Sequence, residues 1–272
     1  VTLDSLRNRI DQIDAEMHAL LMERARTVSD IVAAKGPSPS AIVIQPAREG
    51  AVLTRRLDAH EGLLPPTIVT HVWRSVISAF CDLQRPFRVH VAGLSGASGA
   101  MRDLARFWFG FAPALVDAAD GAAALKGLAD HGGDLALVSL SQPGAWWQAL
   151  SSDGAHVVAR FAAPEGEAHD VLLIAGAKVG PAGGAVTVYS LTVQGNATLP
   201  ILDGVEGLAS AIDGGTTHAL IASAAPPEAL IQSLQAAGLI GSPSLDPVGQ
   251  YDPALVGTAA FVSQTTQKEP TS

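Results

Sequence analysis

The chain has 272 residues, 48% of them hydrophobic and 16% charged, with a formal net charge of −9. That much apolar material excludes global disorder, and the length suits two domains or three small ones. Residues 1–88 carry 11 of the 17 Lys and Arg and 10 of the 26 Asp and Glu. Residues 89–272 are therefore strongly acidic, which argues against nucleic acid and anionic membranes as partners. The lone Cys81 excludes an internal disulfide framework and a cysteine-based metal site, and suits a reducing compartment. Mean hydropathy is +0.28, yet no apolar run approaches the roughly 20 residues that span a bilayer. The N-terminus reads as a charged amphipathic helix rather than a signal peptide, so a soluble cytoplasmic protein is expected.

Leu3, Leu6, Ile10, Ile13, Met17, Leu20, Leu21, Val28, Ile31 and Val32 recur at three- and four-residue spacings with no Gly or Pro between them. This predicts one helix over residues 3–35, with Asp4 as N-cap and Gly36-Pro37 as the stop. About 32 residues at ~1.5 Å each make a rod of ~48 Å, too long to bury its stripe in a small monomer. After a Pro/Ser loop (36–46), a second helix is predicted over 47–60 and a third over 67–84. Strands follow at 87–92, 135–140, 156–161, 170–175, 185–192 and 217–223. A Gly/Ser turn (93–99) leads into a helix at 101–109, and residues 205–213 and 227–237 also read as helical. The fold class is α+β, multidomain. Helices occupy 1–85; two α/β units occupy 86–180 and 181–262, meeting near the Gly/Pro-rich stretch 176–184. A polar tail, 263–272, is expected to be disordered.

Arg7, Arg24 and Lys35 share the long helix. Arg24 and Lys35, eleven residues apart, face the same way within about 20°. Arg7 precedes Arg24 by 17 residues, about 26 Å along the axis. If both arginines serve one small ligand, Arg7 must reach the site of a second subunit whose long helix runs antiparallel. A two-fold dimer would also bury the overlong stripe. Arg48-Glu49 opens the second helix and Gln84 ends the third, so folding back places them beside Arg24 and Lys35. Converging arginines suit a dicarboxylate, because the guanidinium fork matches carboxylate geometry.

The segment L-R-N-R-I-D-Q-I-D-A-E-M-H-A-L-L-M-E-R (6–24), Lys35, P-A-R-E (46–49), V-L-T-R-R-L and S-V-I-S-A-F-C-D-L-Q (75–84) resemble the all-helical chorismate mutases. In particular they resemble the N-terminal module of the bifunctional chorismate mutase–prephenate dehydratases. The resemblance covers residues 3–85 and implies an intertwined helical homodimer of aromatic amino-acid biosynthesis. It implies that Arg24 binds one carboxylate of chorismate and Arg7 of the other subunit the second. Lys35 and Gln84 would hydrogen-bond the ether oxygen, while Arg48 and Glu49 hold the ring side and hydroxyl. No cofactor and no metal are implied, because the [3,3] rearrangement needs neither nucleophile nor proton shuttle. Gln45 stands where the family often has an acid, and Phe80 where it usually has a small polar residue. Arg9, Arg26, Arg55 and Arg56 read as solvated, Asp11 and Asp14 as helix-surface ion-pair partners, and Cys81 as a packing residue.

The second half carries weaker signals. G-L-S-G-A-S-G (93–99) has the spacing G-x-x-G-x-x-G rather than the dinucleotide pattern, which disfavours a dehydrogenase fusion. With F-W-F-G (107–110) and D-L-A-L-V-S-L-S-Q (134–142) it resembles a first prephenate dehydratase lobe. Ala97 replaces that motif's Thr, Ser141-Gln142-Pro143 replaces Glu-Asn-Ser, and His169-Asp170-Val171 lies nearest the missing Thr-Arg-Phe. Residues 185–191, 226–234 and 249–253 resemble the dehydratases' ACT domain more weakly. His131, His156, His169 and His218 show no metal-ligand spacing. The expectation is a shortened region without dehydratase activity. The rival readings are a non-catalytic regulatory or binding protein that keeps the mutase fold, and a bifunctional mutase–dehydratase.

Overall fold

The computed structural model describes residues 1–35, 43–94, 96, 99–163, 169–180, 184–239 and 241–253, with Lys35 described in its backbone alone. Gly36-Pro37, Ala97, residues 181–183 and the tail at 263–272 lie outside the described residues. Helix α1 runs Leu3–Lys35, α2 Pro46–Asp58 and α3 Pro66–Gln84. The start of α1 differs in its cap. Thr2 Oγ1 accepts the Ser5 amide at 3.2 Å, so Thr2 caps the helix and Asp4 sits in the first turn, where its charge favours the N-terminal dipole. Arg7 pairs with Asp4 (3.5 Å) and Arg9 with Glu16 (3.7 Å). Among the described residues these acids, not Asp11 and Asp14, make the ion pairs of α1. Proline at the first position of α2 needs no amide partner, which moves that start to Pro46.

Along α1 the stripe finds little cover within one chain. Val28 is buried, whereas Leu6, Ile10, Met17 and Leu20 are each more than half exposed. Helix α3 is the opposite case: Val69, Thr70, Arg74, Ile77, Ser78 and Cys81 form a buried face.

After α3 come β1 (Arg88–Ala92), α4 (Gly99–Phe109), β2 (Ala114–Asp117), α5 (Gly121–Asp130), β3 (Leu135–Ser139), a short 3-10 turn (Trp146–Ala149), β4 (His156–Phe161) and β5 (Val171–Ala175). Then follow β6 (Val186–Gln194), β7 (Val205–Asp213), β8 (Thr216–Ser223), α6 (Pro227–Ala236) and β9 (Ser244–Tyr251). The strands form one mixed sheet in the order β2-β1-β3-β5-β4-β9-β6-β8-β7. Alternation splits its buried residues between two faces. Val89, Val91, Leu135, Leu137 and Leu173 pack against α2, α3 and α4, while Ala136, Val138, Leu172 and Ile174 pack against α5 and the Trp146-Trp147 turn. The sheet thus carries the helical region on one face.

Residues 205–213 form a strand, not the expected helix. Val205, Leu208, Ala209 and Ile212 imitate a helical spacing only because a bulge between Gly207 and Ala209 shifts the two-residue alternation. The stronger local signal is Gly214-Gly215, both at positive φ, which closes a two-residue hairpin from Asp213 to Thr216. The elements β2, α5 and β9 were not expected from the sequence. No helix among the described residues is long and apolar enough to cross a membrane.

Candidate active site

Three helices bring part of the expected set together. The half-buried Arg24 of α1 lies over the Phe80 ring of α3, its Cζ 4.2 Å from the ring centroid. Its Nη1 is buried with no hydrogen-bond partner. Burial holds the Arg24 pKa below its ordinary value, against an opposing effect of Cys81. One turn beyond Phe80, the Gln84 amide donates to the Phe80 carbonyl at 3.0 Å, leaving a second N–H and the amide oxygen.

Glu49, in the first turn of α2, turns inward. Its Oε1 accepts the Gln45 backbone N–H at 2.9 Å, so the carboxylate caps its own helix in place of a capping side chain from Gln45. Its Oε2 accepts from Arg74 Nη1 at 3.2 Å, with both side chains about nine-tenths buried. The Cys81 thiol lies 3.9 Å from Oε1. Burial, then the Glu49 charge, pushes the Cys81 pKa up to about 12, so the thiol stays protonated and donates. A cavity of about 50 Å³ adjoins Glu49, Arg74, Ser78 and Cys81. It has room for water, not for a ring-sized dicarboxylate.

The other expected residues stand apart. Arg48 is exposed on α2, and Arg7 is exposed and bonded to Asp4. Lys35 ends α1, with its side chain outside the described residues. Arg74 and Cys81, which contact Glu49, were not among the expected residues. The available signal was their spacing: 74, 77, 81 and 84 follow the helical period, so a lone cation sits on the same face as Gln84.

In the α/β region the polar groups are mostly committed to structure. Buried Asp134 accepts from Arg88 (N at 3.0 Å, Nε at 2.8 Å) and bonds His90 Nε2 at 3.0 Å. Burial alone would raise its pKa, but these hydrogen bonds outweigh that and hold it below the usual carboxylate range. Gln142 is buried between the Gly93 carbonyl, to which it donates, and the Gly121 amide, from which it accepts. Among the described residues, no group of three or more His, Cys, Asp or Glu is placed to hold a metal ion.

A half-buried arginine on an aromatic ring, a buried carboxylate and a terminal amide are thus brought together by three helices. Residues 6–85 match the family described as chorismate mutase type II. The N-terminal part of the chain is similar to three proteins named bifunctional chorismate mutase/prephenate dehydratase. The one from Neisseria gonorrhoeae is 39% identical over 99 residues, 35% of this chain and 26% of the relative. That from Pseudomonas aeruginosa is 31% identical over 98 residues (35% and 27%), and that from Aquifex aeolicus 31% identical over 113 residues (40% and 30%). The chain thus spans about a quarter to three-tenths of the length of the curated relatives it matches. No solved structure matches it significantly.

Proposed function

We propose that the chain is a chorismate mutase, isomerising chorismate to prephenate on its three N-terminal helices. The observation that carries this is Arg24, half-buried on Phe80 with a guanidinium nitrogen unpartnered, within the stretch that matches the family. In the rearrangement one C–C bond forms as one C–O ether bond breaks, within a single molecule. The protein's task is to hold the compact conformer and to stabilise negative charge on the ether oxygen. Arg24 binds one carboxylate, and Lys35 and Gln84 hydrogen-bond the ether oxygen. Arg48 and Glu49 hold the ring side and hydroxyl, with Gln45 at their edge and Phe80 under Arg24.

In this reading α1 pairs with the α1 of a second copy, burying the exposed stripe and bringing Arg7 in trans to the second carboxylate. The division into 1–85, 86–180, 181–262 and a tail, and a cytoplasmic location, belong to the same proposal. Residues 86–262 serve as structure or regulation rather than as a dehydratase. Gln142, at a dehydratase motif position, is committed to joining the turn after β1 to the start of α5 and supports that reading. The test is chorismate absorbance with purified protein and no cofactor. An accelerated loss supports the mutase, and the uncatalysed rate removes it. Formation of phenylpyruvate from prephenate would establish the bifunctional reading instead.

A further inference from the structure

Arg74 is a buried guanidinium that no group of chorismate needs. Burying an arginine is costly unless charge and hydrogen bonds compensate, and an apolar side chain of similar size would fill the space at less cost. The compensation here is specific. Glu49 Oε2 lies 3.2 Å from Nη1, and two rings of α4 face the guanidinium: Trp108 with its centroid 5.2 Å from Cζ, and Phe109 at 5.9 Å. Trp108 in turn stacks on Phe161 of β4 at 4.4 Å. Helix α4 belongs to the sheet region, and Glu49 belongs to the helical site.

We infer that Arg74 is a positioning residue of the mutase site, holding the Glu49 carboxylate in place while the sheet region holds Arg74. The inference rests on the mutase reading. The Gln45 N–H and the Cys81 thiol both meet Oε1, so Arg74 is the partner of the other oxygen. Without it the carboxylate is free to turn about that single anchored oxygen and to lose its aim at a substrate hydroxyl. Sites tolerate little such looseness. The α/β region then contributes to a reaction whose substrate it never touches, through the stacked rings of α4.

The experiment is a double-mutant cycle on the full chain, following chorismate turnover in wild type, Arg74→Met, Glu49→Gln and the double variant, with Arg74→Lys as the conservative change. A residue acting through Glu49 gives strong coupling: Arg74→Met costs about tenfold in kcat/KM alone and under about threefold in the Glu49→Gln background. Arg74→Lys keeps the ion pair and recovers most of the rate. Equal losses in both backgrounds, or no loss, overturn the inference while leaving the mutase reading intact. Should circular dichroism show Arg74→Met unfolded, Arg74→Gln takes its place in the same cycle and is judged by the same coupling. A wild type without turnover removes the mutase reading, and this inference with it.

Discussion

The Arg24 guanidinium carbon stands 4.2 Å from the centre of the Phe80 ring, and its Nη1 is buried without a partner. The ring face attracts and orients the cation, and the guanidinium keeps a donor unpartnered, as the proposed carboxylate contact requires. Arg24→Ala is expected to lower kcat for chorismate by about 10²–10³, the scale for losing one aimed donor in an enclosed site. Arg24→Lys should recover little, since a compact ammonium cannot make the bidentate contact. Steady-state rates check both, and a near wild-type Arg24→Ala would remove this residue from the site.

Arg7 and Arg24 lie on one helix about 26 Å apart, so a single chain cannot bring both to one small molecule. Trans contribution is testable by complementation. Arg7→Ala and Arg24→Ala subunits, each nearly inactive alone, should regain activity when mixed and allowed to exchange, because each mixed dimer has one site with both arginines. Ile10→Asp, within the exposed stripe, should reduce the species seen by light scattering to one 27.8 kDa chain. A monomeric wild type would exclude the two-chain site.

The helices were legible in the sequence because their signals are local and regular. The uninterrupted α1 stripe and the prolines before α3 placed boundaries within a residue or two. The sheet was less so. β7 has a bulge at Leu208 and an outward Ile212, so its apolar positions mimic a helix, and only the Gly214-Gly215 turn identifies the hairpin. Arg24, Glu49 and Gln84 were singled out by residue type and spacing. Arg74 was not, because what surrounds it, Trp108 and Phe109, comes from a helix that no local pattern places beside it.

Asp134 links acid stability to one buried cluster. Its pKa is held below that of the unfolded chain, which is about 3.9. Its contribution is therefore complete above that value and is lost as pH falls through the folded one. The urea midpoint should decline from pH 5 to pH 3. Asp134→Ala should remove about 1–3 kcal/mol at neutral pH, since it strands His90 and the Arg88 amide without their shared acceptor. Its midpoint should also vary less with pH over the same range. Parallel curves for the two proteins would assign the acid sensitivity elsewhere.

The narrowest join in the sheet lies between β4 and β9, where the register is a single pair, Val157 with Gly249. Gly249 has φ +143°, and a Cβ there would stand 2.2 Å from the Val157 oxygen and 2.4 Å from its nitrogen. Those are backbone atoms, so relief requires the strands to separate. Arg160 secures the same join from β4, bonding Tyr251 of β9 at 3.0 Å and both Glu206 oxygens of β7 at 2.6 and 2.7 Å. Gly249→Ala should therefore cost about 3 kcal/mol or more, the upper range for forced overpacking with backbone strain. Gly207→Ala is the control: it lies in β7 at ordinary φ with nothing within 4 Å of the added carbon, and should change stability little. Calorimetry separates the outcomes. If the join holds the sheet as one cooperative unit, Gly249→Ala lowers Tm sharply or splits the transition in two, while Gly207→Ala melts as the wild type does. If Gly249→Ala also melts as wild type, the strands part there without consequence, and the sheet's two halves are held together by Arg160 instead.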